Sequence, residues 1–246
     1  MHRMPRPAGP STRIAGDSDA SRAPFGRMYD PRATMARMTL QDVLDFGAPE
    51  VAGSFGELAA GIVRTPLRFG AWVDVAPRWL RAGDELFETL AGTVPWQAER
   101  RQMYDNVVDV PRLTKFYGAD ETWPHPLLRE ACEALSAHYL PTLDEPLVTA
   151  GLCLYRDGRD SVAWHGDRIG RSRYQDTIVA ILSLGATRTL ALRPRGGGAS
   201  MRFVTGHGDL IVMGGSCQRT WEHAIPKVAE SVGPRMSIQF RPAGVR

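Results

Sequence analysis

The sequence predicts a mainly β domain, a closed sandwich, jelly roll or barrel, with helices flanking it on the N-terminal side. Two observations carry this. From Leu147 onward the chain breaks into about eight short apolar segments, punctuated by Gly158, the run Gly196-Gly197-Gly198, Gly206, Gly208 and Gly214-Gly215. Short strands at regular spacing with turn residues between them fold into closed all-β architectures. Before Leu147, by contrast, two segments carry helical rather than alternating patterns.

The elements follow in order. Residues 1–37 are rich in Pro, Gly, Ser, Ala and Arg and show no sustained period, so they read as a disordered basic tail. Met28, Met35 and Met38 leave room for a natural start further in. Residues 38–246 read as a single domain with its β core over about 147–242. The stretch 82–92 predicts a short helix with Asp84 as N-cap. A longer helix is expected over 125–141, where Leu128, Ala131, Cys132, Leu135 and Tyr139 recur at helical spacing and Pro141 ends it. His125 and His138 fall on a loop and a helix flank, with no metal role. Strands are expected over 147–155, 161–167, 176–185, 189–194, 199–205, 209–214, 219–225 and 235–242. There is no internal repeat.

Composition narrows the function classes. The net charge of +3 is unevenly placed: residues 1–40 hold seven Arg against three Asp, so the other 206 residues carry a net −1. The basic surplus belongs to the tail, and counting reveals no extended cationic surface for a polyanion. No run of eighteen apolar residues exists and the N-terminus lacks an apolar signal core, so a cytoplasmic protein without a membrane partner is expected. Cys132, Cys153 and Cys217 are too few and too scattered for a disulfide framework or a zinc knuckle.

The chemistry centres on Trp164-His165-Gly166-Asp167. Residues two apart in a strand face the same way, so His165 and Asp167 point together. An imidazole and a carboxylate on one face need a second His to complete the three-sided iron site, which leaves three positions open for cosubstrate and oxygen. A second triplet, His207-Gly208-Asp209, sits between glycines at a strand entry and reads as a turn. It lies only 16 residues before His223, whereas His165 lies 58 residues before it with about four strands between. In a double-stranded β-helix the paired ligands come early and the lone His several strands later, which selects His165, Asp167 and His223.

The closing strand supports the choice. In 235–241 the residues Arg235, Ser237, Gln239 and Arg241 share one face, and Met236, Ile238 and Phe240 the other. Two inward Arg bury charge, which costs several kcal/mol per ion without a partner. A dicarboxylate would supply that partner through a guanidinium fork. Tyr155 shares a face with Cys153 and can reach the same cavity.

The order Tyr155-Arg-Asp-Gly, His165-x-Asp167, His223 and Arg235-x5-Arg241 resembles the AlkB family of nucleic-acid dealkylating dioxygenases. The likeness runs from about Val110 to Pro242 and includes VPRLTKFYG (110–118) and GDLIVMGG (208–215). It implies a double-stranded β-helix with N-terminal helices. It also implies that His165, Asp167 and His223 bind iron(II), that Arg235 and Tyr155 hold the distal carboxylate of 2-oxoglutarate, and that Arg241 acts near its chelating end. Ser237 lies at a cosubstrate-binding position. The implied chemistry couples decarboxylation of 2-oxoglutarate by O2 to hydroxylation of an N-methyl carbon on a base of alkylated DNA or RNA, releasing formaldehyde. No obligate protein partner is implied.

Three positions depart from the family pattern: Cys153 and Ser237 stand where Asn is common, and Ile169 where repair enzymes often carry an acidic residue. For the substrate, Tyr117 and Trp221 are candidate stacking groups, and Trp164 reads as core. Arg168, with Arg156, Arg159, Arg171 and Arg173, is a candidate phosphate contact. The alternative function is a 2-oxoglutarate-dependent hydroxylase of a small molecule or protein side chain. A catalytically dead binding barrel and a metal-binding barrel without 2-oxoglutarate complete the set; the second leaves Arg235 unexplained.

Overall fold

The computed structural model describes residues 54–103, 106–167, 171–172 and 174–245. The expected tail 1–37 and the candidates Arg168, Ile169 and Arg173 lie outside the described residues.

All eight expected strands form: β7 (Leu147–Tyr155), β8 (Val162–His165), β9 (Val179–Gly185), β10 (Arg188–Pro194), β11 (Met201–Thr205), β12 (Leu210–Gly215), β13 (Trp221–Ile225) and β14 (Arg235–Pro242). Six more precede them: β1 (Ser54–Phe55), β2 (Val63–Pro66), β3 (Ala71–Ala76), β4 (Leu80–Arg81), β5 (Gln97–Met103) and β6 (Asn106–Tyr117). The β structure therefore starts well before residue 147. An eight-stranded sheet runs β2-β3-β12-β9-β14-β7-β6-β5, and a four-stranded sheet runs β11-β10-β13-β8. Together they make the jelly roll, with β2–β3 extending one edge of the large sheet and β5–β6 the other.

In the middle of the large sheet β9 and β12 are buried on both faces, which is why they read as continuous apolar runs. In β9, Ala180, Leu182 and Leu184 pack toward the helices, while Val179 and Ile181 face the small sheet. In β12, Leu210 and Val212 take the first side, Ile211 and Met213 the second. Met236, Ile238 and Phe240 of β14 join the helix-side core, so their neighbours point between the sheets.

Two short helices, α1 (Leu58–Gly61) and α4 (Cys217–Thr220), and two longer ones, α2 (Asp84–Thr93) and α3 (Pro126–Leu143), complete the order. α2 buries Leu86 and Leu90. Its N-cap is Gly83; Asp84 is instead the first helical residue, where its charge complements the positive end of the helix. α3 buries the five residues that the spacing selects. His125 caps it by accepting from the Leu127 N–H at 3.2 Å. Pro141 does not end this helix. One more turn follows, closed by the Asp144 N–H on the Leu140 carbonyl at 2.8 Å, with Asp144 left-handed at φ 59°. Among the described residues no helix is long and apolar enough to cross a membrane.

Candidate active site

Between the sheets lies a cavity of about 580 Å³, lined among others by His165, Asp167, His223, Tyr155, Arg235 and Arg241. His165 ends β8 and is the cross-strand partner of His223 on β13. The 57 residues between them build four strands and return the chain to its neighbour. The strand just before His223 in sequence, β12, is not its neighbour: it belongs to the other sheet. The ligand atoms of His165, Asp167 and His223 lie within 4.8 Å of one another, the one such group among the described residues.

Each of the three is held in place. His165 Nδ1 lies 2.9 Å from the Ala163 carbonyl, which can only accept, so Nδ1 donates there and Nε2 is the nitrogen on the Asp167 side. The backbone N–H of Asp167 donates to Gln218 Oε1 at 3.0 Å. Asp167 Oδ2 accepts from Arg241 Nε at 3.1 Å and Nη2 at 2.9 Å, while Oδ1 turns toward His165 Nε2, 3.5 Å away. Burial alone would raise the Asp167 pKa, but Arg241 and the two imidazoles outweigh it and hold the carboxyl well below its usual range. Burial, helped by His165, pushes His223 down to about 3, so it presents a neutral imidazole. Two imidazoles and one carboxylate are a suitable donor set for a divalent first-row cation.

The other end of the cavity is cationic. Arg235 is 2% exposed, its Nε donates to Ser183 Oγ at 3.0 Å, and its Nη1 has no partner. Its Cζ lies 5.2 Å from the Tyr155 ring, and the two residues are cross-strand partners. Burial lowers the Arg235 pKa, and no described carboxylate pairs with it. A buried, half-satisfied guanidinium facing a cavity fits an anionic ligand. Tyr155 is fully enclosed, and burial raises its phenol to about 12, so it is a neutral hydrogen-bonding group. Arg188 lies on Tyr155 as well, with Cζ 5.7 Å from the ring, and donates to the carbonyls of Asp157, Asp160 and Pro226. Ser237 and Gln239 line the wall between the two ends, joined by a hydrogen bond from Gln239 Nε2 to Ser237 Oγ.

Other sequence candidates are placed differently. Trp221 is 4% exposed and packs in the core between the sheets, its Nε1–H donating to the Arg68 carbonyl at 3.2 Å, so no base can stack on it. Tyr117 is buried in the helix-side core. Strand alternation turns its neighbour Phe116 to the cavity instead. Trp164 is not core: it is half-buried, with Arg193 Cζ 4.3 Å from its ring. Arg156, Arg159 and Arg171 pair with Asp160, Asp157 and Glu145 at 2.8, 2.6 and 2.7 Å. His207 and Asp209 form the expected turn, accepting from the Gly185, Gly206 and Arg78 N–H groups. Sequence reasoning missed Gln218, for which no local signal exists. It also missed Ser183, the one polar residue in an apolar strand.

The 2OG-Fe(II) oxygenase superfamily model matches residues 77–241. The chain is 31% identical over 205 residues to human "Alpha-ketoglutarate-dependent dioxygenase alkB homolog 3", covering 74% of this chain and 66% of the relative. It is 31% identical over 111 residues to "DNA oxidative demethylase ALKBH2" of Arabidopsis thaliana, 35% of each chain. The solved structure of OsALKBH1 superposes with a TM-score of 0.50 at 12% identity, covering 73% of this chain and all of that one, a likeness of fold. The chain thus spans about two thirds of the human relative's length or less in each curated match cited. With the jelly roll and the two-ended cavity in place, these likenesses make the chain an AlkB-like member of the 2OG-Fe(II) oxygenase superfamily.

Proposed function

We propose that the protein is a 2-oxoglutarate-dependent dioxygenase that removes N-alkyl groups from nucleic-acid bases. The observation that carries this is the pairing, in one cavity, of a His-Asp-His donor set with a buried guanidinium that lacks a partner. On this reading His165 Nε2, Asp167 Oδ1 and His223 hold iron(II). Arg235, steadied by Ser183 and flanked by Tyr155, takes the distal carboxylate of 2-oxoglutarate. When bound, iron and 2-oxoglutarate with O2 supply an oxidant strong enough to hydroxylate an N-methyl carbon, and the hemiaminal then expels formaldehyde.

The chain's own residues do the orienting. Arg241 fixes which Asp167 oxygen is free and stands beside the metal end of the cavity, where a cosubstrate carboxylate also arrives. Phe116 lines the same cavity. The nucleic-acid substrate is supported by the relatives' names. The alternative, a small molecule or protein side chain, is favoured by the ion-paired Arg156, Arg159 and Arg171 and by the burial of Tyr117 and Trp221.

The test is formaldehyde release from oligonucleotides carrying N1-methyladenine or N3-methylcytosine, with unmodified strands as control. Release that requires 2-oxoglutarate and disappears in His165→Ala is expected. Succinate formation without formaldehyde from any methylated strand would turn the reading toward the alternative substrate. Undiminished turnover in His165→Ala would remove the ligand assignment itself.

A further inference from the structure

The cavity is lined by one thiol, which the proposed reaction leaves unused. Cys153 lies on β7, partly exposed, and lines the cavity together with Arg235. Its Sγ has only a weak contact, 3.9 Å from Gln239 Oε1. Cys153 and Tyr155 sit two residues apart on one face of β7, about 7 Å along the strand. Their partners on β14 are Ser237 and Arg235. The thiol therefore stands one strand repeat from the guanidinium. Arg235 independently signals an anionic ligand, being 2% exposed with Nη1 unpartnered. A carboxylate seated there brings the carbons attached to it alongside Cys153.

The other two cysteines are poor competitors. Cys132 and Cys217 are 3% and 2% exposed, and Cys132 Sγ contacts the Leu147 carbonyl at 3.2 Å. Burial pushes both thiols up to about 12, so little nucleophilic thiolate exists at either.

We propose that Cys153 is a covalent modification site for α,β-unsaturated dicarboxylates, the class of fumarate, with Arg235 anchoring one carboxylate. In the reaction the thiolate sulfur attacks one alkene carbon. A C–S bond forms, the C=C π bond breaks, and the adjacent carbon takes up a proton in place of the one the thiol has lost. The product is a thioether bearing a succinyl group, and no oxidant or reductant is needed. The adduct leaves two carboxylates in the cavity and so excludes 2-oxoglutarate. The inference rests on the cavity being the dicarboxylate site described above.

The experiment uses the full chain with manganese(II), incubated with fumarate in the presence of glutathione as a reference thiol. Peptide mass spectrometry follows adducts at all three cysteines. The expected result is addition at Cys153 alone, slowed by 2-oxoglutarate and lost in Arg235→Met. The Cys153-to-glutathione rate ratio should be at least ~10-fold higher for fumarate than for its uncharged dimethyl ester, because only the diacid is held in place. That comparison needs no variant and so stands even if Arg235→Met folds poorly. Adducts spread over the three cysteines, or equal ratios for acid and ester, overturn the proposal. So does labelling indifferent to 2-oxoglutarate when calorimetry on the same sample shows it bound. Arg235-dependent labelling with no 2-oxoglutarate binding would keep the modification site and remove the cosubstrate reading.

Discussion

Gly166 illustrates how tightly the proposed iron ligands are set. It separates His165 from Asp167, and a Cβ there would lie 2.9 Å from the Gln218 carbonyl oxygen, 3.0 Å from Arg195 Nη2 and 3.4 Å from the Trp221 carbonyl oxygen. Two of the three neighbours are backbone and cannot swing aside. They belong to α4 and to the start of β13, the strand that carries His223. A methyl group at 166 therefore pushes the two halves of the triad apart. Overpacking of this kind costs about 1–3 kcal/mol. Gly166→Ala is expected to weaken iron(II) binding by ~10-fold or more, read anaerobically from the visible band of the iron–2-oxoglutarate complex. Titration curves that overlay those of the parent protein would mean the ligands are not constrained as described.

At the scale of elements, a buried carboxylate ties the N-terminal strands to the jelly roll. Asp74 of β3 is 1% exposed, accepts from Arg64 of β2 at 2.7 and 2.8 Å, and accepts from the Tyr139 hydroxyl of α3 at 2.8 Å. β3 in turn pairs with β12 over six residues. Tyr139→Phe removes one donor from a charged acceptor that water cannot reach, at a cost of about 1.5–3 kcal/mol. Denaturant midpoints should fall accordingly with the slope unchanged. Loss of less than about 0.5 kcal/mol would mean that Arg64, which is half-exposed, satisfies Asp74 unaided. This network also explains what the sequence did not disclose. β7 to β14 are legible because glycines and alternation delimit them, and α3 because five apolar residues recur at its period. β3 reads AWVDVA, six residues with a carboxylate among them. Nothing local says that its charge meets partners 10 residues before and 65 residues after it. Likewise the HxD triplet and the Arg face of β14 are visible as strand alternation, while Gln218 and Ser183 acquire roles only through folding.

For the whole molecule, the site should make stability depend on its ligands in two separable steps. Metal and cosubstrate bind the folded chain, because the donors are far apart in sequence and converge only in the jelly roll. A ligand at 100 times its Kd adds about 2.7 kcal/mol to unfolding. For a domain of this size that is roughly 5–11 °C in Tm. Manganese(II) is expected to give one increment, and 2-oxoglutarate a second that requires the metal. The two ends of the cavity then separate by substitution. His165→Ala should lose both increments. Arg235→Met should keep the metal increment and lose the second, since removing one partner of a desolvated charge pair costs 2–5 kcal/mol of binding, at least about 30-fold in affinity. The same variant, without ligands, should be no less stable than the parent, because a buried cation short of partners is a cost to the folded state. A ligand-free Tm that drops by several degrees in Arg235→Met would show that the guanidinium's hydrogen bond to Ser183 and its packing on Tyr155 outweigh its desolvation. The cationic end would then be structural, and the second increment would have to come from elsewhere in the cavity.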